Sequence, residues 1–157
     1  MLAGERACWR QAGNRTLVTQ ALMNIQIAVL CDAAVDYGGR LSLLGTFDAI
    51  VARQFPTVHP HFTVALRLAF EKSEEGSHNL RVDFVDEDGH PVMLGVEIAL
   101  RVQVPDDALA ISQNLILNLQ NVRVNRAGHY AFAVLIDGRL AASIPLQVKL
   151  PSEPAQI

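Results

Sequence analysis

At 157 residues, half of them apolar and with a formal net charge of −3, the chain has the length and composition of one folded domain and not of a disordered segment. That charge balance excludes a general electrostatic attraction to nucleic acid or to an anionic membrane. No run of about 18 apolar residues occurs, which excludes a membrane-spanning helix on length.

Residues 1–22 carry Arg6, Arg10 and Arg15 against the single acid Glu5. Arg, Gln and Asn interrupt any apolar core, so the stretch is not read as a secretory signal. It is Arg-rich and acid-poor like a transit peptide, yet it contains no Ser. The preferred reading is an irregular or helical extension ahead of a native start at Met23, with Met1 as the other candidate start. Cys8 and Cys31 make no disulfide framework and match no zinc spacing. Without a signal sequence, a reduced, cytoplasmic setting is expected.

From Ile25 the chain is organised by alternation, because successive side chains of a strand point to opposite faces. Ile25, Ile27, Val29 and Cys31 form the first series, which places Cys31 inward as a small hydrophobe. Asp36-Tyr37-Gly38-Gly39 is a turn, and Leu41, Leu43, Gly45 and Phe47 follow as the second series. Phe62, Val64, Leu66, Leu68 and Phe70 form the third, and Leu80, Val82 and Phe84 the fourth. Asp86-Glu87-Asp88-Gly89 then has hairpin chemistry. Val92, Leu94, Val96, Ile98, Leu100 and Val102 form the fifth series, and Leu115, Leu117 and Leu119 the sixth after Pro105-Asp106-Asp107. Tyr130, Phe132, Val134 and Ile136 lead through Asp137-Gly138 to Ala142, Ile144, Leu146 and Val148.

Short strands, a turn signal about every ten residues and no 3.6-residue periodicity predict an all-β chain. The expected fold is a single antiparallel β-sandwich of 7–9 strands, immunoglobulin-like or jelly-roll-like, over residues 23–150, with a C-terminal tail at 151–157. Leu66, Leu117, Tyr130 and Phe132 are expected in its core.

The run Leu115-Ile116-Leu117-Asn118-Leu119-Gln120-Asn121-Val122, with Gly128-His129-Tyr130-Ala131-Phe132, resembles the E strand and tyrosine corner of immunoglobulin-like domains. That resemblance implies a Tyr130 hydroxyl bonded back to upstream backbone. Arg126 stands where an acid is common, and Phe132 replaces the second disulfide Cys, so the antibody type is excluded. A broader resemblance rests on Cys31-Asp32-Ala33, Gly39-Arg40-Leu41-Ser42-Leu43-Leu44-Gly45-Thr46-Phe47-Asp48 and Arg53-Gln54-Phe55-Pro56. Over about residues 23–151 the chain is similar to an uncharacterised family of short bacterial proteins, which implies a bacterial source and no known activity.

His59-Pro60-His61 is the best metal candidate, since two imidazoles two apart can face one side of an extended segment. Further ligands would have to come from Asp32, Asp48, His78, His90 or His129. The alternative is that both flank a loop entering the third strand. Asp86-Glu87-Asp88-Gly89 resembles a calcium loop in composition only, because an EF-hand needs Gly sixth and Glu twelfth. Cys31-Asp32 lacks the exposed, electropositive setting of a reactive thiolate. No Gly-x-Ser-x-Gly elbow, Walker sequence or dinucleotide fingerprint occurs, and no cofactor is expected. The sole Trp, Trp9, lies in the extension, which weakens a sugar-stacking platform.

What remains is surface for another protein. Ala131, Ala133 and Leu135 on one strand and Ala65 and Ala69 on another are small outward residues that would form a flat patch if those strands were neighbours. The leading expectation is thus a non-enzymatic interaction or assembly module, binding itself or another protein through outer sheet faces. A metal-dependent protein using His59 and His61 and a sugar- or small-ligand-binding sandwich are the alternatives.

Overall fold

The structure, a computed structural model, describes residues 24–152. The extension with Cys8 and Trp9, the choice of Met1 or Met23 and the end of the C-terminal tail lie outside the described residues. Among the described residues nine strands form: β1 (Asn24–Tyr37), β2 (Arg40–Phe47), β3 (Ala49–Val51), β4 (Thr57–Glu71), β5 (Gly76–Asp86), β6 (Val96–Val102), β7 (Ala110–Val124), β8 (Gly128–Ile136) and β9 (Arg139–Lys149). A 3₁₀ turn at Lys72–Glu74 joins β4 to β5. The strands make two sheets, ordered β2-β1-β4-β7 and β3-β9-β8-β5-β6.

The expected all-β sandwich is present, with one correction to its antiparallel character. Ala49–Val51 pairs parallel with Gln147–Lys149, placing β3 at the edge beside the last strand. Three residues are too short to show alternation, so the sequence gives no sign of this strand.

The core lies between the sheets and is lined by the series read from β4, β5, β8 and β9. Phe62, Leu66, Leu80, Phe84, Phe132 and Leu146 are at most 1% exposed. A run of rings crosses it: Phe47 to Phe62 at 5.8 Å, Phe62 to Phe132 at 5.7 Å, Phe132 to Phe84 at 4.5 Å and Phe84 to Tyr130 at 5.4 Å. Such contacts add specific geometry to a large apolar burial. Phe132 stacks on Phe84 and bridges the two sheets through Phe62. Tyr130 is 6% exposed, and its hydroxyl donates to the Arg126 carbonyl at 2.7 Å. Leu117, by contrast, is only half-buried, because β7 is an edge strand with a neighbour on one side.

Local departures from simple alternation move several residues. A bulge between Ile25 and Ile27 shifts the β1 register. Leu30 then lies opposite Val64 on the core side, while Val29 and Cys31 lie opposite Ala65 and Thr63 on the outer side. The inward placement of Ile27, Val29 and Cys31 is therefore overturned. A second change of face falls at Pro60, opposite Asn121, whose φ is +53°. Beyond it Val122 and Val124, not their neighbours, enter the core. The fifth series also starts late: Leu94 is 92% exposed, and β6 begins at Val96.

Candidate functional site

β1 pairs with β4 only as far as Cys31, and its remaining residues pair with β2. A straight hairpin would carry its Gly38-Gly39 turn about 25 Å past Cys31, away from Arg67. Instead the Gly39 carbonyl accepts from Arg67 Nη1 at 2.9 Å and from Asn114 Nδ2 at 3.2 Å. The hairpin thus doubles back over the outer face of β4 and β7. The bend falls at Asp32 and Gly45, where the ladder skips a pair between Cys31–Thr46 and Ala33–Leu44. Gly45 has φ +65°, and a Cβ there would strike the Asp32 carboxylate, so glycine answers both the backbone and the space.

Doubling back buries both faces of β4. Thr63 and Ala65 on its outer side are 0% exposed, as is Cys31 beside them. Burial, and then the adjacent Asp32 carboxylate, push the Cys31 thiol up from its ordinary value, the reverse of what a nucleophilic thiolate requires. Arg67 latches the hairpin: besides Gly39 it reaches Asn114 Oδ1 at 2.8 Å and Gln26 Oε1 at 3.0 Å. Four residues along the same pair of strands, Thr63 Oγ1 donates to Asn118 Oδ1 at 2.8 Å. Two signals for this arrangement stand in the sequence: Arg67 is a charge set between Leu66 and Leu68 in the apolar middle of its strand, and Gly45 interrupts an otherwise regular one.

The hairpin's underside carries the half-buried Ala34, Leu41 and Leu43. Its other side faces solvent with Val35 58%, Leu44 68% and Tyr37 77% exposed. Leu44 stands opposite Ala33, next but one to Val35 on the same face, and Arg40 stands opposite Tyr37. An aliphatic pair, an aromatic ring and a guanidinium therefore share one face of a short ladder.

The patch expected from Ala131, Ala133, Leu135, Ala65 and Ala69 does not assemble. β8 and β4 belong to different sheets, so these residues lie on opposite sides of the sandwich, and Ala65 is covered.

His59 and His61 do not converge either. His59 is half-buried against Phe47 and Phe62, at 6.2 and 5.5 Å between ring centres, on the core side of the break at Pro60. His61 is exposed on the other side, opposite Gln120. Among the described residues, the group close enough to share a metal ion is Asp86, Asp88 and His90. There the Asp86 carboxylate already accepts from the backbone N–H groups of Asp88 and His90 at 3.0 and 2.9 Å. The Arg126 guanidinium stands 3.6 Å from it. These bonds, the one to His90 foremost, hold Asp86 below its ordinary value. The arrangement is hairpin chemistry, with Gly89 donating to the Asp86 carbonyl at 3.0 Å.

His78 is better tied than any other histidine. Its Nδ1 meets Asp137 Oδ2 at 2.7 Å, its Nε2 meets the Glu74 carbonyl at 2.6 Å, and its ring stacks on Phe70. Two acceptors on the two ring nitrogens suit the doubly protonated ring. Burial opposes that charge, but the hydrogen bonds that the ring donates to the Asp137 carboxylate and the Glu74 carbonyl outweigh it and raise the His78 pKa. The contact ties the β8–β9 turn to the 3₁₀ turn. At the same end an open depression of about 660 Å³ is bordered by Lys72, Glu75, Arg101 and Asp106. Lys72 there is bonded to the Val104 carbonyl, Asp106 and Glu75.

Among the described residues no helix is long and apolar enough to cross a membrane. No curated protein matches the chain. Among solved structures, the alkylpurine DNA glycosylase AlkC of Pseudomonas fluorescens, bound to DNA containing an abasic site analog, aligns over 82% of this chain and 31% of its own, at 12% identity and a TM-score of 0.44. A glycosyl hydrolase family 2 member from Bacteroides cellulosilyticus aligns over 59% of this chain and 14% of its own, at 15% identity and a TM-score of 0.34. The chain thus spans under a third of the length of either structure. Residues 26–149 match the family of unknown function DUF6941, and the chain belongs to that family.

Proposed function

We propose that the chain is a non-enzymatic protein-interaction module that docks through the solvent side of the β1–β2 hairpin. The observation that carries this reading is the exposure of Val35, Tyr37 and Leu44 together on one face, where an isolated surface leucine would carry nothing. Tyr and Arg, the types that Tyr37 and Arg40 bring to this face, are enriched at interface hot spots. Folding the hairpin back onto β4 orders it before any partner arrives, which lowers the entropy lost on docking. The partner that fits is a protein surface with an apolar cleft for Val35 and Leu44 and a carboxylate at its rim for Arg40.

The strand order and the bond from Tyr130 to Arg126 support an immunoglobulin-like reading of this scaffold. The free, buried Cys31 suits a reduced, cytoplasmic setting.

Affinity capture from the native cell compares the full chain with the double variant Val35→Glu, Leu44→Glu. Both positions are exposed, so the variant keeps the wild-type circular dichroism and melting. A protein retained by the wild type and lost by the variant supports the reading. Identical sets retained by both refute it.

A further inference from the structure

The four sheet edges are guarded very unequally. β3 is three residues long. β6 has seven residues and carries Glu97 and Arg101. β2 has eight, begins at Arg40 and is interrupted by the positive φ of Gly45. β7 has fifteen residues, Ala110 to Val124, and from Ala110 to Val122 it contains no charged side chain and no proline. Among the described residues its backbone pairs with β4 alone, which leaves the far row of N–H and C=O groups open. A long, uncharged open edge is a template for another strand.

We propose that β7 pairs antiparallel with β7 of a second copy, joining the two four-stranded sheets into one of eight. The pattern of the strand fits itself. In an extended strand only alternate residues direct their backbone groups to a given edge. A two-fold axis must therefore match residues of the same parity, and it passes through a residue position. Centred on Leu117, it sets Leu115 against Leu119 of the second copy and Leu117 against its own counterpart on the core side. On the outer side it sets Asn114 against Gln120 and Ile116 against Asn118. The leucines form one continuous apolar row across the junction, Asn114 sets its amide against that of Gln120, and no like charges meet. The same pairing explains how three leucines left half-buried by the single chain become covered. A second copy is thus the occupant that the residues of β7 themselves specify.

This contact lies on the sheet edge and not on the hairpin, so its test separates from the docking reading above. Sedimentation of the full chain across a concentration series reports a monomer–dimer equilibrium, and Val35→Glu, Leu44→Glu leaves it in place. Leu117→Lys sets two ammonium groups against each other at the axis and weakens dimerisation by at least about tenfold. Because that variant can also disturb the core, a cross-link gives the register independently. In a Cys8→Ser background, Leu117→Cys places two thiols across one strand pair, within disulfide reach, and oxidises to a covalent dimer. Ser112→Cys, about 33 Å from its own counterpart in this register, does not. A wild type that stays monomeric throughout, or cross-linking as efficient at 112 as at 117, overturns the proposal.

Discussion

Replacing Tyr130 separates the two things this residue does. Its ring is 6% exposed and lies 5.4 Å from Phe84, while its hydroxyl reaches the Arg126 carbonyl. Removing about 150 Å² of buried ring at about 25 cal/mol per Å² costs about 4 kcal/mol, and the cavity left in a stiff sandwich keeps Tyr130→Ala near 3–5 kcal/mol. Tyr130→Phe keeps the ring and loses one hydrogen bond. Arg126 is exposed, so its carbonyl turns to water and the cost is about 1 kcal/mol. Urea unfolding of the three proteins gives both numbers as shifts in midpoint at constant slope. A Tyr130→Ala loss below about 1 kcal/mol, well short of the cavity range, or a Tyr130→Phe loss equal to that of alanine, refutes the assignment of ring and hydroxyl.

The His78–Asp137 contact makes stability depend on pH at both ends. The raised His78 pKa gives a contribution complete below its ordinary 6.5 and lost as pH rises through the raised value. The lowered Asp137 pKa, due first to the His78 hydrogen bond, gives one present above 3.8 and lost as pH falls through the lowered value. The pair therefore contributes most between 3.8 and 6.5, and His78→Gln flattens the alkaline arm of a urea-midpoint profile; an unaltered profile contradicts the linkage. Arg67→Met unlatches the hairpin while leaving the inner core alone, so Cys31 reacts with a thiol reagent at least about tenfold faster than in the wild type, where labelling waits for local opening. Equal labelling rates would mean that the hairpin does not cover Cys31. Asp86→Ala strands the N–H groups of Asp88 and His90 and lowers the urea midpoint, and an unchanged midpoint would leave the turn without need of its carboxylate.

The parts of the fold legible in the sequence are those where each residue faces a uniform environment. β4, β5, β8 and β9 each bury one side against the opposite sheet along most of their length, and their two-residue period appears in the order of Phe62, Val64, Leu66 and Leu68 or of Tyr130, Phe132 and Val134. The Gly38-Gly39 and Asp137-Gly138 turns were legible for a similar local reason. At both, consecutive residues have positive φ, which glycine and aspartate tolerate. Where alternation failed, a local irregularity had changed the face. A bulge near Gln26 turned Cys31 outward, and the break at Pro60 separated His59 from His61. The sequence signals one residue's preference at a time, and a shift of one place inverts every side chain beyond it.

The sequence by itself determined the all-β class, most of the core and the corner at Tyr130, since burial preference and turn chemistry are properties of neighbouring residues. Only the tertiary structure decided which strands share a sheet, and so that Ala65 and Ala133 lie on opposite sides. It alone set Gly39 beside Arg67 and Asn114, 28 and 75 residues away along the chain. The hairpin's return over β4 joins groups remote in sequence, and that return determines which apolar residues are covered and which face solvent.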